Sequence, residues 1–337
     1  MKEFIEKCLN GQSLTVEEAA RALELIMTDQ ATDAQIAGLL VALRAKGESE
    51  EELVGFVRTM RNHAVTIAAD DPDAIDMCGT GGDGLGTFNI STVAALVAAG
   101  AGVTVAKHGN RSVSSRCGSA DVLAALGVNV QIAPDRVESC INKIGIGFLF
   151  APMFHPAMKY AARPRQEMGT RTIFNIVGPM TNPAGVKRQV VGTFHETVAG
   201  KIAGALRKMD TDRAYVVHSH DGMDEVGLDG ETQVHEVRGS ALVRRYPVEA
   251  EHFGLDRAET GSVRGGNPGE NAEIAMRILD GEREPGRDVV VANAALGILV
   301  AGKAATLKDA ASLAAESIDS GRARTTLNRL VEYTQQA

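Results

Sequence analysis

From Ala74 onward, short runs of apolar and β-branched residues alternate with Ala-rich stretches, and that alternation leaves few architectures open. A strand that leads through a helix into another strand returns to the same sheet by a right-handed crossover. The repeated pattern therefore predicts an α/β domain with a largely parallel central sheet. The expected strands are Ile75–Met77, Val103–Ala106, Val128–Ile132, Gly147–Phe150, Gln189–Thr193, Ala214–His218 and Val234–Arg238. The expected helices include Thr92–Ala101, Ala120–Leu126 and Thr197–Met209, and Pro268–Leu279, Val289–Gly302 and Leu307–Ser320 close the chain.

The first sixty residues follow a different period. Thr15-x-x-Glu18, Thr32-x-x-Gln35 and Ser49-x-x-Glu52 each fit a capping box, in which two side chains satisfy backbone donors at a helix start. Behind them Val16, Ala20, Leu23 and Met27, then Ile36, Leu39, Leu40 and Leu43, then Leu53, Phe56, Val57 and Met60 recur at helical spacing. Three helices with one apolar stripe each need a partner surface. Asp70-Asp71-Pro72-Asp73 is a polar break. The expected division is a helical domain over 1–70, completed by helices around 155–185, and an α/β domain over 71–337.

With 337 residues the chain is long enough for two cores. Its 35 Lys and Arg against 43 Asp and Glu give a net charge of −8, which argues against a non-specific nucleic-acid binder. Any anion must then be held by a local cluster or by metal ions. Cys8, Cys78, Cys117 and Cys140 form no C-x-x-C pair, so they are expected to be reduced thiols. The first ten residues lack the basic-then-apolar order of a signal peptide, and no uncharged run reaches the roughly 18 residues of a membrane span. A cytoplasmic protein without membrane contact is expected.

Four stretches carry chemistry. Asp76 to Thr92 lies between a strand and an Ala-rich helix, and six of the eight residues from Gly79 to Gly86 are Gly or Thr. Glycines let amides approach an anion, and the following helix offers its N-terminal N–H groups. The pattern is neither of the familiar nucleotide-binding glycine motifs, and a capped tight turn is the plain alternative. Lys107 to Ser115, followed by Gly118 to Asp121, brings together cations and hydroxyls suited to phosphate, or else forms a solvated basic loop. Asp224-Glu225 can hold a hard cation such as Mg²⁺, though alone it also reads as surface. Arg163, Arg165 and Arg171 precede a Gly178-Pro179 turn; an arginine fork suits a planar carboxylate, and helix-surface arginines are the plain alternative. His218-x-His220 would suit zinc only with further ligands, and is expected to be structural.

Taken together, GTGGD at 79–83, NIST at 89–92, KHGNR at 107–111 with Ser114-Ser115, MDE at 223–225 and RTIFNIVGPMTNP at 171–183 resemble the anthranilate phosphoribosyltransferases. The likeness runs the full length, including ATDAQIAGLLVALRAKGE at 31–48 and ENAEIAMRILDGE at 270–282. It departs from the family pattern at Arg163-Pro164, Ala124 and Met180. The resemblance implies a small helical domain joined to an α/β domain of the nucleoside phosphorylase class II type, and a homodimer formed through the helical domain. It implies transfer of the phosphoribosyl group from phosphoribosyl pyrophosphate to the anthranilate amine in tryptophan synthesis.

Position by position, the resemblance puts Gly79, Gly82, Asp83, Thr87, Asn89, Ile90, Ser91 and Thr92 around phosphoribosyl pyrophosphate. Lys107, His108, Gly109, Asn110, Arg111, Ser112, Val113, Ser114 and Ser115 wrap it, joined by Ser119. Ser91, Asp224 and Glu225 fall where the family holds Mg²⁺, with two ions implied. Gly79, His108, Asn110 and Arg165 fall around anthranilate, and Lys107 and Asp83 are the expected catalytic residues. Pyrophosphate is a polyanionic leaving group, so its departure needs charge neutralisation more than a general base. The alternatives are a pyrimidine nucleoside phosphorylase, which lacks the KHGNR and Asp-Glu pairing, and a nucleic-acid-binding member of the fold, which would carry a basic surface.

Overall fold

The structure is a computed structural model that describes residues 1–112 and 116–336; Val113, Ser114 and Ser115 lie outside the described residues. The chain opens with α1 (Lys2–Leu9), α2 (Val16–Met27), α3 (Asp33–Lys46) and α4 (Glu50–Asn62). All three capping boxes form, with Glu18, Gln35 and Glu52 each bonded back to its cap residue. Helix α1 is an addition to the three helices expected; its Phe4 and Cys8 are buried although half of its residues are charged.

The α/β part begins with β1 (Ile75–Gly79), α5 (Ile90–Gly100), β2 (Val105–Gly109), α6 (Ser119–Ala125), α7 (Pro134–Ile144) and β3 (Ile146–Phe150). Short α8 (Ala151–Phe154), α9 (Lys159–Met168) and α10 (Phe174–Val177) follow. The sheet resumes with β4 (Arg188–Gly192), α11 (Glu196–Arg207), β5 (Arg213–Ser219), β6 (Thr232–Arg238) and β7 (Leu242–Val248). Helices α12 (Ala250–Phe253), α13 (Pro268–Leu279), α14 (Pro285–Val300), α15 (Leu307–Asp319) and α16 (Arg322–Gln335) end it.

The strand order is β3-β2-β1-β4-β5-β6-β7. The first five strands are parallel, and β6 and β7 extend the sheet antiparallel. The parallel sheet is thus found as expected, with two corrections. Val128–Ile132 is not a strand. Its Val128, Val130 and Ile132 are buried in alternation, which is what imitates a strand, but the backbone is satisfied by side chains: Asn129 N–H donates to Thr334 Oγ1 at 3.1 Å and Gln131 N–H to Asn129 Oδ1 at 3.1 Å. Conversely β7, with Arg244, Arg245 and Pro247 in its run, was not anticipated; it is an edge strand, where charge and proline are tolerated.

Side chains alternate across the sheet, so its two faces feed separate cores. Val190, Tyr215 and Val217 join the core under α5 and α14. Val191, Ala214 and Val216 join the core that holds α11 together with the helices of the first sixty residues. Ala161, Ile173, Phe174, Ile176, Val177 and Met180 belong to that second core as well. Lys208 ties α11 to Glu50 at 2.8 Å, so the N-terminal helices are held against the α/β sheet by both apolar and ionic contacts. No helix among the described residues is long and apolar enough to cross a membrane.

Candidate active site

The chain runs from β1 to β2 and β3 on one side of the sheet, then returns to β4 on the other side of β1. The β1/β4 border is therefore the topological switch point, beyond whose carboxyl end ligands gather in open α/β sheets. Gly79 and Gly192 are paired there. Neither can carry a side chain: a Cβ on Gly79 would lie 2.6 Å from Asp224 Oδ2, and one on Gly192 only 1.6 Å from the Asp224 carbonyl. The two glycines let the loop after β5 fold over the strand ends and lay its carboxylates on the Gly-rich loop.

Three carboxyls are brought together there. Asp224 Oδ2 accepts the Gly81 N–H at 2.7 Å. Glu225 Oε1 accepts the Ser91 N–H at 3.0 Å, at the start of α5. Asp83 accepts the Leu85 N–H at 3.1 Å through one oxygen, while the other is buried without a partner. Burial first, and then the Asp83 charge, hold the Asp224 carboxyl well above the usual aspartate range; burial and then Asp224 raise Glu225 likewise. Asn293 on α14 fixes this loop, accepting from Val226 N–H at 2.9 Å and donating to its carbonyl at 3.0 Å.

Raised carboxyls and an orphaned acceptor are the signs of a place built for positive charge. Among the described residues no three His, Cys, Asp or Glu side chains converge enough to hold a metal ion alone. The donors are two or three carboxylates and the Ser91 hydroxyl, all oxygen, which suits a hard cation completed by water and ligand phosphate and does not suit zinc. His218, by contrast, is occupied: its Nδ1 is 2.8 Å from the Thr193 carbonyl and its ring stacks on His195.

Lys107 is buried in the middle of β2 and its Nζ donates to the Met77 carbonyl on β1. Its charge lowers both Glu225 and the fully buried Asp76. Asp76 accepts the His108 N–H at 3.0 Å and the Asn182 side-chain amide at 2.8 Å, and burial still leaves its carboxyl raised. The loop beyond β2 is less basic than the sequence suggests. Arg111 is paired with Asp121 at 2.9 Å, and Asp121 also accepts the N–H groups of Ser112 and Gly118. Ser119 Oγ donates to the Asn110 carbonyl at 3.2 Å, folding the loop back on itself.

Asn89, Thr87 and Ile90 stand between the two loops. The Asn89 amide donates to the Cys117 carbonyl at 3.1 Å and its oxygen accepts from Asn271 at 3.0 Å. Thr87 bridges to Arg264, Ile90 is buried at the start of α5, and the Thr92 hydroxyl is buried without a partner. Of the residues expected around anthranilate, Gly79 and Asn110 belong to these two loops, whereas His108 and Arg165 pack among rings. His108 and His155 rings are 5.3 Å apart, and burial pushes them down to about 3 and about 4, so both are neutral. Each leaves a buried Nε2 without a partner. Arg163 is exposed and paired with Glu167, whereas Arg165 is half-buried over the Phe174 ring at 5.0 Å, lowered by burial and with no acid acting on it.

The acidic residues, the buried lysine and the amide-rich loops at a switch point suit a hard cation together with a polyanionic ligand. The comparisons agree: residues 71–324 match the α/β domain of a glycosyl transferase family, and residues 2–64 match its helical bundle domain. The chain is 50% identical to the anthranilate phosphoribosyltransferase of Moorella thermoacetica, over 99% of this chain and 98% of the relative. It is 51% identical to that of Pelotomaculum thermopropionicum, over 99% and 96%. The crystal structure of the Thermus thermophilus enzyme superimposes with a TM-score of 0.93 at 43% identity, over 98% and 99% of the two chains. The Saccharomyces cerevisiae enzyme in complex with PRPP and Mg gives 0.90 at 26% identity, over 100% and 98%. The chain belongs to the anthranilate phosphoribosyltransferase family.

Proposed function

We propose that the β1/β4 switch point is where this chain transfers the phosphoribosyl group of phosphoribosyl pyrophosphate to the amino group of anthranilate, releasing pyrophosphate. The observation that carries this reading is the gathering of Asp83, Asp224 and Glu225 on the amides of Leu85, Gly81 and Ser91, with the Lys107 charge acting on Glu225. That arrangement is unfavourable by itself and becomes favourable when a cation and a polyanion enter. Ser91, Asp224 and Glu225 would hold Mg²⁺, with two ions the reading we favour, and Asp83 borders them. When bound, the metal supplies neutralisation of the diphosphate charge.

The chain's own residues do the rest. Lys107, on β2, supplies the positive charge. Gly79, Gly82, Thr87, Asn89, Ile90, Thr92 and Ser119, with Gly109, Asn110, Arg111 and Ser112, line the path for ribose and phosphates. Arg165, a half-buried guanidinium without an acidic partner, takes the anthranilate carboxylate, while neutral His108 shapes the same side. The aryl amine is uncharged near neutral pH, so positioning replaces deprotonation. We further propose residues 1–70 with 155–185 as the helical domain and 71–337 as the α/β domain. We also propose a cytoplasmic location and a homodimer through the helical domain, where exposed Leu9 on α1 and Val41 on α3 offer apolar contact to a second copy.

The test is loss of anthranilate fluorescence on mixing with phosphoribosyl pyrophosphate, with and without Mg²⁺. Metal-dependent turnover is expected; silence together with release of thymine from thymidine and phosphate would move the assignment to the nucleoside phosphorylases. Arg165→Ala is expected to raise KM for anthranilate roughly 10–100-fold with kcat little changed, the size of one charge-assisted hydrogen-bonded contact. A mainly kcat effect would count against that role.

A further inference from the structure

Of the three arginines ahead of Phe174, Arg171 has no part in the reading above. Its guanidinium reaches the Gly-rich loop, where Nη2 donates to the Gly82 carbonyl. The same group lies over the Phe194 ring, with Cζ 4.1 Å from its centroid. Gly82 has φ +78°, and a Cβ there would come 3.3 Å from Arg171 Nε, so the guanidinium fills the space that the missing side chain leaves. Arg171 is itself anchored from α3, where Arg44 Nη1 donates to its carbonyl at 2.9 Å and also to the Thr170 hydroxyl. On its other side the loop is held by Gly81 N–H on Asp224 at 2.7 Å.

We propose that Arg171 is a positioning residue that sets the Gly82 peptide for phosphoribosyl pyrophosphate before the substrate binds. In a trans peptide the N–H points opposite to the carbonyl, so fixing Gly82 O on Arg171 turns the Asp83 N–H to the far side of the loop. Gly81, Gly82, Gly84 and Gly86 all have positive φ, and glycine loses more freedom on ordering than any other residue. A loop clasped in advance removes that loss from the binding step. The clasp also joins the substrate loop to the N-terminal helices through Arg44. This inference rests on the reading of the loop as the phosphoribosyl pyrophosphate site.

Arg171 is exposed, so its replacement leaves the cores intact. Arg171→Ala is expected to raise KM for phosphoribosyl pyrophosphate about tenfold, the scale of ordering one loop residue, and to leave KM for anthranilate little changed. In the substrate-free protein, amide exchange over residues 80–85 should quicken while α14 is unaffected. Arg171→Lys keeps the charge without the flat stacking surface and is expected to recover only part of the loss. Unchanged exchange at 80–85 would overturn the proposal. So would full recovery by lysine, which would make charge the cause, or an equal rise in both KM values with a lowered Tm, which would make the role structural. The exchange measurement needs no substrate, and turnover by the unaltered protein separately tests the reading of the site.

Discussion

Replacing Asp224 by asparagine is expected to lower kcat/KM about a thousandfold, or about 4 kcal/mol, while making the metal-free protein more stable. The asparagine oxygen can still accept the Gly81 N–H, so the loop geometry is preserved. What is lost is one negative charge from a buried group that also contains Asp83 and Glu225. The sign of the pH effect follows from the shifts. Burial and then repulsion from a neighbouring carboxylate push Asp224 and Glu225 up when folded, so both bind protons more tightly in the native state. Their favourable contribution is complete below the ordinary carboxylate range near pH 4 and is lost as pH rises above that range through their raised native values. Thermal melts in chelator should therefore show the unaltered protein losing ground to Asp224→Asn between pH 5.5 and pH 8. Added Mg²⁺ should reverse the order at pH 8, because a ligand that binds only the native state stabilises it. A variant less stable than the parent at pH 8 in chelator would mean that Asp224 is a net stabilising group, contrary to this account.

Lys107→Met is expected to remove activity to a similar extent and, unlike the first change, to destabilise the fold by about 3–5 kcal/mol. Methionine matches the stem of the lysine but leaves Asp76 and Glu225 buried without the cation that lowers both. Asp76 keeps its bonds from His108 N–H and Asn182, so the defect is one of charge more than of hydrogen bonding. With Lys107 gone the raised Asp76 rises further, and its favourable contribution fades as pH increases. The Tm gap between variant and parent should therefore be wider at pH 8 than at pH 5.5, with no pH restoring turnover. A gap that does not change with pH would point to a packing fault at the β1/β2 border instead.

The alternation of strands and Ala-rich helices and the three capping boxes were legible because they are local: hydrophobic period and cap chemistry act within one or two turns of chain. The same locality explains the failure at Val128–Ile132, where alternating burial occurs without a sheet neighbour and Thr334 takes up the backbone donor. It also explains why β7, as an edge strand with two arginines, gave no strand signal. At the site, the Gly-rich loop, Lys107 and Asp224-Glu225 could be named because each carries its residue types in one short stretch.

What the sequence by itself determined was therefore the class of sheet, the start of each early helix and the chemical types gathered at the strand ends. Tertiary structure decided which charges meet. It set Asp83 against Asp224 across the β1/β4 border, spent Arg111 on Asp121, and left Arg165 rather than Arg163 half-buried without an acid. Asn271 on Asn89, Asn293 on Val226 and Arg171 on Gly82 are separated in sequence by 182, 67 and 89 residues. Electrostatic coupling and hydrogen bonding depend on distance in space and on exclusion of water, and neither is a property of a local stretch of chain.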